Sequence, residues 1–369
     1  MARKNAPRET AVKPLVKPAL TDWWDTKNVD RSAVVDIPTD QKPETSDIIT
    51  IPVREPLIIR EPGIYEMHEA DYHADPCVKP SLSRSILKRL VDLSPAHAYC
   101  LHPRLGGLNN PDAGSDDEVM DVGSAAHASF LQNRSIIQRV DFPDWRTKLA
   151  KEARAAAYVD GMIPLLTKAY GRAMRLIDVL EAFRARTGAF TQGKAEQTVI
   201  WRDGPIWCRA RVDWLPDNPE AALWDLKTTA GAASLGKWSR AAFENGGDLQ
   251  ASFYARGVEM VRGEPPDGMK FCVVEQNPPH AIAVFEMTPV ALDIAGQKVR
   301  AGLSLWENCL DTGIWPGYPD EPQYVHPPSW IVREWEERAG LSPRVQDLMR
   351  QAREIPIGVQ MVETGDFAG

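Results

Sequence analysis

The sequence predicts an α/β fold: a mixed central β-sheet flanked by helices, with additional helices on its N-terminal side. Three observations predict it. Apolar residues recur at helical spacing in Ile86, Leu87, Leu90 and Val91, and again from Val122 to Leu131. Alternating runs rich in β-branched and aromatic residues follow at Glu196–Trp201, Ile206–Leu215 and Ala221–Thr228. Helical and strand patterns then come round once more before a closing helix. The order reads as three helices, three strands, two helices, two strands and a helix.

Taken along the chain, residues 1–61 read as a poorly ordered arm. Its first twenty residues hold five basic side chains (Arg3, Lys4, Arg8, Lys13, Lys17) against Glu9 alone, and prolines and short polar runs continue to Arg60. Ordered structure is expected from Gly63. Ser83 is placed to N-cap the helix that starts the Ile86 run. Ser94-Pro95 starts a second helix with proline in its tolerated first turn. Asn109 to Asp121 reads as an acidic loop. In the next helix Gly123, His127, Phe130 and Leu131 share one face.

Residues 146–186 read as helical and basic, with nine Lys and Arg against four acids, and Gly161 and Pro164 are expected to divide the segment into two helices. Gly204-Pro205 separates the first two strands as a hairpin would. Leu235–Glu244 and Asp248–Val261 read as helices, Lys270–Gln276 and Ala281–Met287 as strands, and residues 289–310 as the closing helix. The organisation expected is an arm over 1–61, one domain over 62–320, and a Trp- and Pro-rich tail with a helix over 321–369.

Composition narrows the function. With 43 Lys and Arg against 51 Asp and Glu, the net charge of −8 disfavours coating nucleic acid through bulk charge. It leaves room for an enzyme that gathers carboxylates around metal ions beside a local basic groove. No apolar run is long enough for a membrane span, and the basic, Pro-containing N-terminus lacks the apolar core of a secretory signal. Five scattered cysteines include no CxxC pair, which argues against a zinc ribbon or an iron–sulfur cluster. A reducing, cytoplasmic setting is the expectation.

The chemistry concentrates in Arg211-Val212-Asp213 and Asp225-Leu226-Lys227, on neighbouring expected strands. Asp225 and Lys227 are two apart, so on a strand they share a face. Two carboxylates supply hard oxygen ligands for Mg²⁺, and the lysine can orient a water or stabilise charge on an attacked phosphate. Enzymes lower barriers by roughly 8–23 kcal/mol and one electrostatic donor supplies only about 3–4, so a lysine alone is too little for a phosphodiester. An Asp-x-Lys pair on a sheet is by itself more often a surface ion pair. Its companions raise its weight: His127 on a small, apolar helix face, Glu196 opening the preceding strand, and Gln250 and Tyr254 sharing a helix face. Each has a plainer reading, as a core histidine, a solvated strand end or helix packing. Trp201, Trp207, Trp214 and Trp224 lie in strands, which favours packing over stacking on bases.

The order Gly123-Ser124-Ala125-Ala126-His127, Glu196, Arg211-x-Asp213, Asp225-x-Lys227 and Gln250-x-x-x-Tyr254 resembles the PD-(D/E)XK nuclease superfamily. Within it the order is most similar to the RecE-like, exonuclease VIII branch. Gly63-Ile64-Tyr65 and the stretch from Pro80-Ser81-Leu82-Ser83 to Ser94-Pro95-Ala96-His97 resemble the start of the same domain, and the resemblance covers residues 62–320. It implies a restriction-endonuclease-like fold. His127, Asp213, Asp225 and the backbone carbonyl of Leu226 would be metal ligands, with Glu196 a further acidic position at the metal. Lys227 would be the catalytic lysine, and Gln250 and Tyr254 would position it or the scissile strand. Arg211 would contact phosphate or brace the acids, and Arg172 and Arg175 on the basic segment are further DNA-contact candidates. The second catalytic acid is Asp rather than Glu.

The reaction implied is Mg²⁺-dependent hydrolysis of DNA, with Mn²⁺ able to substitute. It is digestion of one strand from a duplex end, 5′→3′, by a homo-oligomer working with a RecT-like single-strand annealing protein. Three other readings compete: an endonuclease built on the same site, a DNA-binding module that has lost catalysis, and a non-haem iron oxygenase, in which Lys227 has no place.

Overall fold

The computed structural model describes residues 57–106, 117–132, 136–339 and 343–352. Most of the expected arm, most of the acidic loop after Asn109 and the end of the tail lie outside the described residues.

Two eleven-residue strands, β5 (Gly193–Asp203) and β6 (Ile206–Pro216), form the backbone of the sheet. They run antiparallel through Gly204, whose φ of 57° suits the turn that joins them. The alternation that predicted them buries Val199 and Trp201 on β5 and Cys208, Ala210 and Val212 on β6. On the outer side of β5 lies β1 (Gly63–Tyr65), antiparallel. On the other side of β6 comes β7 (Leu223–Thr229), then β8 (Met269–Glu275) parallel to it and β9 (Ile282–Glu286) antiparallel at the edge. A short strand, β2 (Ser81–Ser83), pairs in parallel with Trp207–Arg209. The inner half of β6 is thus bordered by β2, while β7 meets β6 at the single pair Trp214↔Trp224.

Helices cover both faces. One face packs on α2 (Arg84–Asp92), α8 (Gly247–Arg262) and α9 (Pro289–Thr312), through a core that includes Leu87, Trp201, Phe253, Phe271 and Trp306. Gly257 lets α8 lie directly on the Trp201 ring, because a Cβ there would stand 2.6 Å from it. The other face packs on α4 (Asp117–Gln132) and α6 (Thr167–Thr187) through Phe130, Leu176, Leu180, Phe190 and Leu226. The remaining helices are α1 (Glu69–His73), α3 (Pro95–Leu101), α5 (Lys148–Val159), α7 (Leu235–Glu244), α10 (Ser329–Ala339) and α11 (Pro343–Ala352). Among the described residues no helix is long and apolar enough to cross a membrane. All five cysteines are free.

The basic segment divides into two helices, α5 and α6, as expected, and two local details differ. The break between the basic helices is a strand, β4 (Ile163–Leu166), which pairs in parallel with β3 (Ile137–Val140) as a separate two-stranded sheet. Pro164 is tolerated because this small sheet has only edge strands. Ser83 does sit at the N-cap of α2, but its side chain makes no capping bond. Trp201 and Trp207 are buried and Trp214 and Trp224 half-buried, which fits packing better than stacking on bases.

A buried ionic knot ties β2 down. Asp75 takes hydrogen bonds from the Ser81 amide (3.0 Å) and hydroxyl (2.6 Å) and lies 3.1 Å from Arg209 and 3.3 Å from His102. Burial alone would raise the Asp75 carboxyl, but the His102 bond, the Arg209 charge and the Ser81 donors hold it below its ordinary value.

Candidate active site

Three acids lie side by side across three strands. In the β5–β6 register Glu196 is opposite Asp213, between the pairs Ala195↔Trp214 and Gln197↔Val212. In the β6–β7 register the rung after Trp214↔Trp224 puts Asp225 opposite Asp213. Neither rung forms. Glu196 has a left-handed backbone, φ 55°, which costs a non-glycine residue about 1–2 kcal/mol and takes it out of the ladder. On the other side β6 and β7 part, and the Leu226 amide donates to Asp213 Oδ2 at 2.8 Å. The side chain of Asp213 therefore stands in for the strand that would otherwise satisfy that amide.

Like charges set directly opposite one another destabilise a sheet, so each acid needs a cation. His127, reaching in from α4, places Nε2 3.0 Å from Asp213 Oδ2 and Nδ1 3.2 Å from Glu196 Oε1. Arg211 donates to Glu196 and, at 3.1 Å, to the Met67 carbonyl before α1. Lys227 Nζ lies 2.6 Å from Asp225 Oδ2. Gln250, buried on α8, donates from Nε2 to Asp225 Oδ1, and its Oε1 accepts from Arg84 at 3.3 Å.

The titration properties follow from this arrangement. Burial disfavours the His127 cation, but the Asp213 and Glu196 carboxylates outweigh it and raise its pKa to about 9. Burial pushes Asp213 up, and the His127 charge brings it below its ordinary value. Asp225 is raised, by burial first and by Asp213 second, with Lys227 only partly offsetting them. Glu196 is raised by burial and by Asp213. Burial also raises the Tyr254 hydroxyl well above its ordinary value.

Of the residues singled out in the sequence, His127, Glu196, Arg211, Asp213, Asp225, Lys227 and Gln250 are brought together, with differences in grouping. Among the described residues His127, Glu196 and Asp213 have ligand atoms all within 4.8 Å of one another. Asp225 faces them across the opening, engaged with Lys227 and Gln250. Leu226 supplies an amide to Asp213 and buries its side chain in the α4–α6 core. Tyr254, one turn from Gln250, packs in the α8 core. Arg172 and Arg175 lie on α6, half-buried and exposed respectively. Two contributors carried no sequence signal: Arg84, which meets Gln250 across 166 residues of chain, and the Met67 carbonyl.

A pocket of about 290 Å³ opens beside Lys227, lined by Arg84, Lys237, Trp238, Asn245 and Gln250 among others, and no carboxylate lines it. Acids and an imidazole on one side with cations on the other suit a hard divalent ion next to an anionic substrate. The oxygen-rich donor set fits Mg²⁺ or Mn²⁺. Within the cluster His127 offers one nitrogen and Glu196 and Asp213 offer oxygens, which is poor chemistry for a soft metal.

The family model described as the PDDEXK-like domain of unknown function (DUF3799) matches residues 83–328. The chain belongs to this family. Every side chain of the acid row and its cations lies within the matched span, and the superfamily is the one the motif order resembles. Among solved structures the chain is similar to a "Putative exonuclease" from Eubacterium rectale, at 15% identity over 75% of this chain and 100% of that one, with a TM-score of 0.48. It is also similar to the protein SSO0001, at 14% identity over 52% of this chain and 95% of that one, with a TM-score of 0.22. No curated protein matches it.

Proposed function

We propose that this chain is a Mg²⁺-dependent DNA exonuclease that digests one strand of a linear duplex 5′→3′ and leaves a 3′ overhang for recombination. The observation that supports it is the row Glu196, Asp213, Asp225 with His127 between two of the acids and Lys227 on the third. The exonuclease mode, the polarity and Mn²⁺ substitution rest on the resemblance of the motif order to RecE-like nucleases. So do a homo-oligomeric state, a RecT-like annealing partner and a cytoplasmic setting.

In this reading His127, Glu196, Asp213 and Asp225 would hold the divalent ion, joined by the Leu226 carbonyl, with His127 giving up its proton to solvent to ligate as the neutral imidazole. When bound, such an ion supplies a water of lowered pKa and neutralises charge on the attacked phosphate. The chain's own groups do the rest. Arg211 braces Glu196 against the Met67 carbonyl. Gln250 fixes Asp225 through Oδ1, and Lys227 occupies the other oxygen from the open side. Lys227 Nζ can donate to a phosphate oxygen or to the attacking water, a preorganised donor in a partly desolvated site. Arg84 and Lys237 give the neighbouring pocket the charge a DNA backbone requires.

The test is digestion of linear duplex DNA labelled at either 5′ or 3′ ends, and of covalently closed circles, with and without Mg²⁺. Early release of the 5′ label from linear DNA alone, only with Mg²⁺ present, is expected. Cutting of closed circles would make the site an endonuclease. No cleavage with Mg²⁺ or Mn²⁺ would leave a binding module.

A further inference from the structure

The geometry points to Gly123 as a positioning residue that sets the reach of His127 by letting α4 rest directly on β7. The inference rests on the metal-site reading above and concerns how that site is built.

Gly123 and His127 lie one turn apart on α4. Gly123 is buried in the interior of the helix, where glycine is a poorer helix former than alanine, so local structure gives no reason for it. The packing gives one. A Cβ at this position would stand 2.8 Å from Thr228 Oγ1 and 3.5 Å from Gln276 Nε2. Thr228 follows Lys227 on β7, so the helix touches the strand immediately beyond the active-site lysine.

The surface under Gly123 is fixed. Gln276 Nε2 donates to Thr228 Oγ1 at 3.1 Å, and the Gln276 amide donates to the Thr229 carbonyl at 2.8 Å. Gln276 is buried, and threonine is stiff about χ1. An added methyl therefore cannot be relieved by swinging a free side chain away. The helix must lift or tilt, and one turn on, the His127 nitrogens sit 3.0 and 3.2 Å from Asp213 and Glu196. Lifting the helix withdraws the imidazole from both carboxylates, while Asp225 and Lys227, on the strand itself, stay in place.

The test is calorimetric titration of the purified full chain with Mn²⁺, without DNA. Wild type is expected to bind and Asp213→Asn is not. Gly123→Ala should bind at least about tenfold more weakly, the range seen when the support of a metal ligand is disturbed. Thr228→Ala removes the obstructing oxygen. Gly123→Ala/Thr228→Ala should return to wild-type affinity, and Gly123→Ala/Thr228→Val, which restores bulk at the same point, should stay weak. A Gly123→Ala chain that binds as wild type overturns the inference. So does a Gly123→Ala/Thr228→Ala chain that stays weak or fails to fold. A wild-type chain that takes up no Mn²⁺ is a different result, because it removes the metal centre itself.

Discussion

Asp213 and Asp225 lie opposite one another where β6 and β7 separate, and the amide of Leu226 donates to the first of these carboxylates rather than to a neighbouring strand. A sheet that sets the buried Asp225 opposite the half-buried Asp213 is destabilised unless cationic charge lies beside them. The lysine and the arginine around the row supply part of that charge, the imidazolium adds to it in the metal-free chain, and a divalent ion held by the neutral imidazole would take the imidazolium's place.

Asp213→Asn is expected to abolish metal binding and to lower cleavage by about three orders of magnitude or more, since it removes the one carboxylate shared by His127 and the Leu226 amide. The amide oxygen still accepts from Leu226, so the thermal midpoint should change little. Retained Mg²⁺-dependent cleavage would move the chemistry elsewhere.

Lys227→Met should separate binding from catalysis. Its ammonium touches Asp225 but offers no ligand atom. Turnover at saturating metal should fall about 10²–10³-fold, the worth of one preorganised donor, while Mn²⁺ affinity persists. If Mn²⁺ affinity collapses in parallel, the lysine serves only to balance charge.

Gln250→Leu should destabilise the fold by about 1–3 kcal/mol, because Asp225 Oδ1 is left buried without its donor. Urea unfolding in metal-free buffer measures this. An unchanged midpoint would show that the Gln250 bond carries no net stability.

Asp75 predicts an acid limit to stability. Its carboxyl is held below its ordinary value in the folded chain, so the folded state binds its proton less readily than the unfolded state. Its contribution is then complete above the unfolded value, about 3.9, and is lost as pH falls through the lower folded value. Asp75→Asn should be the less stable chain at neutral pH, with the gap from wild type closing in that acidic window. A gap independent of pH would deny the ion pair its role.

The long elements were legible because their patterns are long. Alternation over β5 and β6 and apolar spacing over α7 and α8 place them within a few residues of their observed ends. The three- and four-residue strands β1 to β4 carry too few positions for any period to register, and Pro164 reads as a breaker until a parallel partner is known. Within the site, His127, Asp213, Asp225 and Lys227 stood out by residue type and order. The place of Glu196 did not, since a strand pattern cannot show that one residue turns left-handed out of its ladder. Arg84 reads as an ordinary helix arginine, because what it touches is 166 residues away.

The single rung Trp214↔Trp224 gives the sheet a seam. On one side of it Asp213 belongs to the β1–β5–β6 leaf, and on the other Asp225 belongs to the β7–β8–β9 leaf. Their spacing is held by the packing of both indoles against Phe190 and by one amide rather than by a run of backbone bonds. The distance between the two carboxylates is thus independent of the ladder of either leaf, so in the reading proposed above a cation and a phosphate would meet a centre set by side chains rather than by backbone pairing.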